Sequence, residues 1–221
     1  PTKAQMREDV LEFNVTANEN DKFRSTTVKL VNDMNQTLET FVIVQRSSIA
    51  GEIMSFADPR VKAVCVGKFD SNLDGELTYE EVATVTDVKN LFLLEKNIVS
   101  FDEFEYFSSV SIIPDALFQN CTKLESVKLP DSVTSIGSSA FDNCSSLKSI
   151  VIPEGVTNSD GDRYDEYNYG YGWFSGCCSL ESVTLPSTLT HLPPSGFSGC
   201  SSLKSIEIPE GVNRIPYECF K

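Results

Sequence analysis

Four stretches decide how this chain folds: LFQNCTKLESVKLPDSVTSIG at 117–137, AFDNCSSLKSIVIPEGV at 140–156, WFSGCCSLESVTLPSTLTHL at 173–192 and GFSGCSSLKSIEIPEGVNRI at 196–215. They are one pattern written four times. Phe118, Phe141, Phe174, Phe197 and Phe220 are spaced 23, 33, 23 and 23 residues apart. Cys121, Cys144, Cys177 and Cys200 keep those steps, as do Leu124, Leu147, Leu180 and Leu203, and Pro130, Pro153, Pro186 and Pro209. A unit this short cannot bury its own apolar face, so neighbouring units must stack to make a shared core.

A period in the low twenties with leucines at fixed offsets predicts a leucine-rich repeat solenoid. Within a unit, LESVKL, LKSIVI, LESVTL and LKSIEI read as short strands with Leu and Ile/Val facing inward, each ended by a proline. A second apolar pair follows the turn, and Phe with Cys packs the return. Subtracting 23 from Leu124, Val127, Leu129, Val133 and Ile136 lands on Phe101, Phe104, Tyr106, Val110 and Ile113. SFDEFEYFSSVSII is thus expected to be an atypical first unit, as terminal repeats commonly are. Two outward columns can be read: Glu125, Lys148, Glu181, Lys204, which alternates in sign, and Ser126, Ser149, Ser182, Ser205. Opposite charges on neighbouring strands favour correct register.

The wording of the units, with Asn120-Cys121, Ser135-Ile136-Gly137, Ala140-Phe141 and Ile152-Pro153, resembles the BspA-like leucine-rich repeats of bacterial surface proteins. The resemblance covers residues 98–221. It implies a non-enzymatic, exported recognition or adhesion protein whose partner is a host extracellular or cell-surface protein.

The sharpest chemical motif precedes the repeats. In DSNLDGELTYEE at 70–81, Asp70, Asn72 and Asp74 stand at positions 1, 3 and 5 of a calcium loop. Gly75 supplies the sharp turn, Glu76 its backbone carbonyl, Thr78 a direct or water-borne oxygen, and Glu81 a bidentate carboxylate. Calcium is therefore the expected cofactor, in a structural role. Thr78 and Glu81 also form a capping box for the following helix. Asp58-Pro59 starts a short helix ending near Phe69, because Asp caps free N–H groups and Pro suits the first helical position. Leu77 is the apolar loop residue that normally pairs with a second loop, and the chain contains no second loop of this type. Residues 48–97 are expected to form an EF-hand-like cap on the first unit, with 47–57 as a connector.

Residues 1–47 read as antiparallel β-structure: VLEFNVTA alternates, STTVKLVN follows, and LETFVIVQ makes a third run after the polar NDMNQ. FNVTAN, Arg24 and FVIVQ resemble the second half of a BACON-like, immunoglobulin-like module of gut-bacterial surface proteins, for which carbohydrate binding is the implied role. The expected fold is β-rich overall: a repeat solenoid, a small helical calcium module and a short N-terminal antiparallel segment.

One unit is interrupted. NSDGDRYDEYNYGYG adds ten residues before Trp173 and brings Tyr164, Tyr167, Tyr169 and Tyr171 beside that tryptophan. Insertions in repeat arrays emerge as loops, often on the binding face. Tyrosine and glycine give adaptable contact area, so Tyr164, Tyr167, Tyr169, Tyr171 and Trp173 are the candidate ligand residues. A glycan bound through residues 158–173 or the BACON-like strands is the alternative, and a structural spacer a third reading.

Composition excludes other classes. A net charge of −14 disfavours nucleic acid, which needs clustered Lys and Arg. No apolar run approaches a membrane-spanning helix, and PTKAQMREDV lacks a signal-peptide pattern, so an export signal is expected to lie outside this stretch of chain. Seven cysteines with no CxxC pair argue against zinc, and the cysteine column reads as buried free thiols. His191 is the sole histidine, in a column otherwise holding Ser135, Asn158 and Arg214, and reads as a surface residue. With no nucleophile elbow, phosphate loop or dinucleotide fingerprint, no catalytic residue is assigned.

Overall fold

A computed structural model describes residues 24–31, 37–45, 51–159, 172–216 and 218–221. The chain divides into two compact units, Pro1–Ser48 and Ile49–Lys221. In the first, β1 (Arg24–Val31) and β2 (Thr37–Gln45) pair antiparallel, with Val28 opposite Phe41 and a bulge between Leu30 and Val31. The expected first strand, VLEFNVTA, lies outside the described residues.

The second unit begins with helices. In α1 (Pro59–Phe69), Asp58 caps the start by accepting from the Arg60 amide, and Pro59 occupies the first turn. Helix α2 (Tyr79–Ala83) is only five residues long, shorter than TYEEVATV suggests, and carries the expected Thr78/Glu81 capping box. Glu52, Ile53 and Met54 do more than connect. Met54 donates to the Leu77 carbonyl, the Tyr79 amide donates to Glu52, and Ile53 bridges Thr78 antiparallel. This short backbone pairing lies beside Leu77, which is fully buried.

The repeats follow. β3 (Ser100–Phe101) and a 3-10 helix (Asp102–Tyr106) open the first unit, then β4 (Ile112–Ile113), β5 (Ser126–Val127), β6 (Ser135–Ile136), β7 (Ser149–Val151), β8 (Asn158–Ser159) and β9 (Ser182–Thr184). All their pairings are parallel: β3 with β5, β7 with β9, and β4, β6, β8 in one ladder. The second ladder keeps the expected step, Ile113 pairing with Ile136, 23 residues on. The first does not: Phe101 pairs with Val127, 26 residues on. The equivalence of Phe101 with Leu124 is therefore corrected; Ile98, fully buried, takes that place. The three additional residues are wound into the 3-10 helix, which returns the chain to phase before β4.

The columns explain themselves through backbone geometry and packing. Phe118, Phe141, Phe174, Phe197 and Phe220 stack in sequence with centroids 5.1, 5.2, 5.6 and 5.3 Å apart and planes within 20°. Phe92 extends the stack beneath Phe118 at 5.4 Å. The residue before each of the four column cysteines has positive φ: Asn120 62°, Asn143 63°, Gly176 74°, Gly199 74°. Only Gly, and Asn among side-chain residues, enters that region at low cost, which accounts for the NC and GC words. The thiols of Cys144, Cys177 and Cys200 each point at the carbonyl of the phenylalanine one unit back, at 3.1 Å. Cysteine fits there as a small apolar body with one weak donor. Hydroxyls serve the same purpose at the surface: Thr134, Ser145 and Ser201 donate to Ser111, Thr122 and Cys178. One apolar core runs from Met54 to Cys219.

Candidate functional site

The acidic loop has the local shape its sequence demands. Gly75 takes φ +86°, and Leu73 takes +61°. Asp70 accepts from the Leu73 and Gly75 amides at 2.7 and 2.8 Å, Asn72 from Asp74 at 2.8 Å, and Asp74 from Glu76 at 2.9 Å. These bonds coil the loop and hold the three side chains toward its inside. Glu81 engages both oxygens: Oε1 accepts from the Ser71 amide and hydroxyl, Oε2 from the Thr78 amide and hydroxyl. Slight burial acts to raise the Glu81 pKa, but the Thr78 and Ser71 hydrogen bonds outweigh it and the net shift is downward. Glu76 sends its side chain to Lys62 at 2.6 Å, leaving only its carbonyl for a ligand role.

The oxygen-only donor set suits a hard cation. The six residues Asp70, Asn72, Asp74, Glu76, Thr78 and Glu81 fall at spaced positions of the stretch 70–81. Among the described residues, however, no three Asp, Glu, His or Cys side chains converge on one point. The reason is local: Glu81 is turned onto Ser71 and Thr78.

The second candidate surface is the outward side of the first ladder. Glu125, Lys148, Glu181 and Lys204 are all exposed, and Lys148 reaches the Glu125 carboxylate. One column on, Lys128, Val151, Thr184 and Glu207 are exposed too, with Lys128 on Glu105 at 3.3 Å. Both carboxylates raise the pKa of their lysine, through the hydrogen bond and then charge. The serines of the neighbouring column line this face, half-buried at Ser126 and exposed at Ser149, Ser182 and Ser205.

Trp173 does not stand on that surface. It is 1% exposed, its indole N–H donates to the Ile136 carbonyl at 3.0 Å, and its ring meets Phe174 edge-on. Its place in the Ala140/Gly196 column makes it a core residue with no face left for a ligand. Tyr164, Tyr167, Tyr169 and Tyr171 lie outside the described residues. His191 is exposed, as expected, with Thr190 Oγ1 at 2.9 Å from Nδ1. All seven cysteines are free, and Cys178 is the exposed one. What sequence reading passed over is the second bond of Asp58: beyond capping α1 it is 3% exposed, and its other oxygen accepts from Val99, just before β3.

Parallel ladders, one of them stepping by 23 residues, over a core of inward Leu and Ile/Val define a leucine-rich repeat protein. The chain belongs to the BspA-type leucine-rich repeat family, whose profile matches residues 95–221 in six copies. Repeat proteins of this family are generally non-enzymatic binding scaffolds and are typically found on bacterial surfaces. Among solved structures, the chain is similar to a T. pallidum leucine-rich repeat protein, with 29% identity over 50% of this chain and 51% of that one, and a TM-score of 0.36. A Bacteroides ovatus leucine-rich repeat protein matches with 35% identity over 51% and 33%, TM-score 0.37. A leucine rich cell surface protein from Faecalibacterium prausnitzii matches with 36% identity over 45% and 30%, TM-score 0.32. The chain thus spans from about a third to about half the length of these relatives. No curated protein gives a significant match. Among the described residues no helix is long and apolar enough to cross a membrane.

Proposed function

We propose that this chain is a non-enzymatic recognition module of a bacterial cell surface. Its repeats, residues 98–221, form a solenoid that binds a host extracellular or cell-surface protein. The observation that carries this reading is the division of labour within each strand. Inward residues are committed to the core, while Glu125, Lys148, Glu181 and Lys204, with Lys128, Val151, Thr184 and Glu207, form an exposed, chemically mixed band. Such a band offers contact area, and broad contact area is what protein recognition uses.

Residues 48–97 act as an EF-hand-like cap that binds calcium structurally. Calcium takes Glu81 from Ser71, and Asp70, Asn72, Asp74, the Glu76 carbonyl and Thr78 complete the shell. Support comes from the coiled, oxygen-lined loop with Gly75 at its turn and from the Glu52–Met54 pairing beside buried Leu77. Residues 1–47 are a BACON-like segment.

The test is a parallel screen of the full chain against extracellular-matrix proteins and glycans, repeated with residues 160–171 deleted and with Lys148 and Glu181 reversed in charge. Protein binding that weakens on charge reversal supports the reading. Glycan binding abolished by the deletion would replace it with the carbohydrate alternative. Binding to neither class leaves the spacer role.

A further inference from the structure

Helix α1 turns part of an apolar face to solvent, and a short segment of chain runs back beside it. Lys89, whose carbonyl accepts from Lys68 Nζ at 2.7 Å, marks the far end of the helix, and Val99, whose amide donates to Asp58, marks its start. Between them Glu95 forms one wall of an open groove of about 510 Å³, lined on the helix side by Pro59, Arg60, Ala63 and Val64. Arg60, Ala63 and Val64 share a face because residues three and four apart on a helix are neighbours. Beside Glu95 stands Leu94, 98% exposed, preceded by Leu93, 62% exposed. No other adjacent pair of large apolar side chains is exposed among the described residues.

Charges of both signs flank this apolar floor. The Arg60 guanidinium is half exposed and meets the Asp58 carboxylate only at 4.0 Å. Both Asp58 oxygens already accept backbone amides, from Arg60 and Val99. Helix α1 carries no acidic residue that could answer Arg60. On the facing wall, Glu95 is half-buried and accepts from the Asn97 amide at 2.7 Å through Oε1. One patch therefore holds a projecting leucine, a recess, a cation and an anion. That is the content of a self-complementary surface, in which residue i contacts the partner's j and j contacts the partner's i.

We propose that two copies of this chain pair through this face as a two-fold dimer. Leu94 of each copy enters the groove of the other, and Arg60 of each meets the partner's Glu95. An acidic peptide in the groove would answer Arg60 and repel Glu95, and a basic one would do the reverse; a second copy answers both. Because the same patch serves both sides, the contact closes at two chains and does not propagate into fibres. The groove and two leucines are a small core beside the about 20–30 residues a side of a standard interface, so the dimer is weak and depends on concentration. Its exposed charge pairs loosen further in salt. None of the rung residues assigned above to host-protein recognition takes part.

The experiment is sedimentation velocity on the full chain between about 5 and 500 μM, the range in which an interface of this size associates. The average mass is expected to climb with concentration from 24.4 kDa toward twice that value. Leu94→Asp changes a side chain that buries nothing in the single chain, and is expected to weaken association by about tenfold or more. Arg60→Glu and Glu95→Lys are each expected to do the same, since like charges then face each other at both pairs. The deciding arm mixes those two variants. Each contact in a mixed dimer again joins opposite charges, so the mixture is expected to associate at least about fivefold more tightly than either variant alone. A repair within one chain cannot produce that rescue. A chain that stays monomeric throughout the range overturns the proposal and leaves the groove to a different partner. Association unchanged by Leu94→Asp overturns it by placing the contact elsewhere, and a mixture that fails to recover overturns the two-fold pairing of Arg60 with Glu95.

Discussion

Replacing Phe141 with alanine removes one ring from the middle of the phenylalanine stack. The side chain is fully buried, and its ring lies 5.1 Å from Phe118 and 5.2 Å from Phe174, tilted 14° and 20°. Truncating a buried phenylalanine costs about 3–5 kcal/mol, part transfer free energy and part cavity. Two stacked partners are lost at once, which places Phe141→Ala near the upper part of that range. Phe220→Ala removes the same atoms from the same column, but Phe220 is 46% exposed and has one stacked neighbour, Phe197. Burying a whole phenylalanine is worth about 1.5–3 kcal/mol, so half-burial loses about 1 kcal/mol. The difference of about 3 kcal/mol corresponds to a midpoint shift of at least about 1 M urea at ordinary slopes. Urea denaturation read by tryptophan fluorescence suits the purpose, because Trp173 is the only tryptophan and is buried beside Phe174. Equal midpoints for the two variants would mean that the column does not act as a continuous stack, and the account of the core would be wrong.

Other consequences are simpler. Burial pushes the thiols of Cys121 and Cys219 to about 11 and Cys200 to about 12. A thiol reagent at pH 8 should therefore label one fast site in the native chain, Cys178, and the rest only after denaturation; three or more fast thiols would contradict the burial of the column. Asn143→Gly should be neutral within about 0.5 kcal/mol, since Gly176 and Gly199 take the same conformation, whereas Asn143→Val should cost about 1–2 kcal/mol in thermal melts. A stable Val variant would refute the left-handed assignment. Because the Glu81 pKa is lowered by folding, its contribution is complete above the ordinary value of 4.5 and disappears as pH falls through the lower folded value. In chelator, the stability gap between wild type and Glu81→Gln should be present at pH 6 and shrink as pH is lowered below 4.5; a gap independent of pH would speak against the Thr78 and Ser71 bonds.

The repeats were legible because each column answers one physical demand several times over. An αL backbone selects Asn or Gly, the stack selects Phe, and the exposed rung selects a charge that its neighbour can pair. Legibility failed where a feature occurs once. The 3-10 helix at Asp102–Tyr106 has no counterpart in later units, so the step of 23 was applied across a place where the pairing needs 26. Trp173 read as a binding aromatic because it borders the tyrosine-rich insertion; the Ile136 carbonyl, which accepts from the indole N–H, accounts for a buried tryptophan there. The Glu52–Met54 pairing with Leu77 runs through backbone groups, which leave almost no mark on side-chain choice. The capping box of Thr78 and Glu81 was legible in the acidic loop, whereas the turning of Glu81 onto Ser71 depends on a serine at the second loop position that carries no metal signature.

Two rungs of unequal length stand in one array. The first ladder absorbs three additional residues before β4, and the array later absorbs ten between Ser159 and Gly172, after which Phe141 and Trp173 still meet in register. In neither case does the slack pass to the next rung. Register is set at each rung by its own contacts with the rung before it, so errors of length do not accumulate along the chain. The array therefore behaves as a frame that tolerates grafting: the segment following Ile136 in the preceding rung, which corresponds to the natural insertion point, should accept a foreign loop of similar length without disturbing the units on either side.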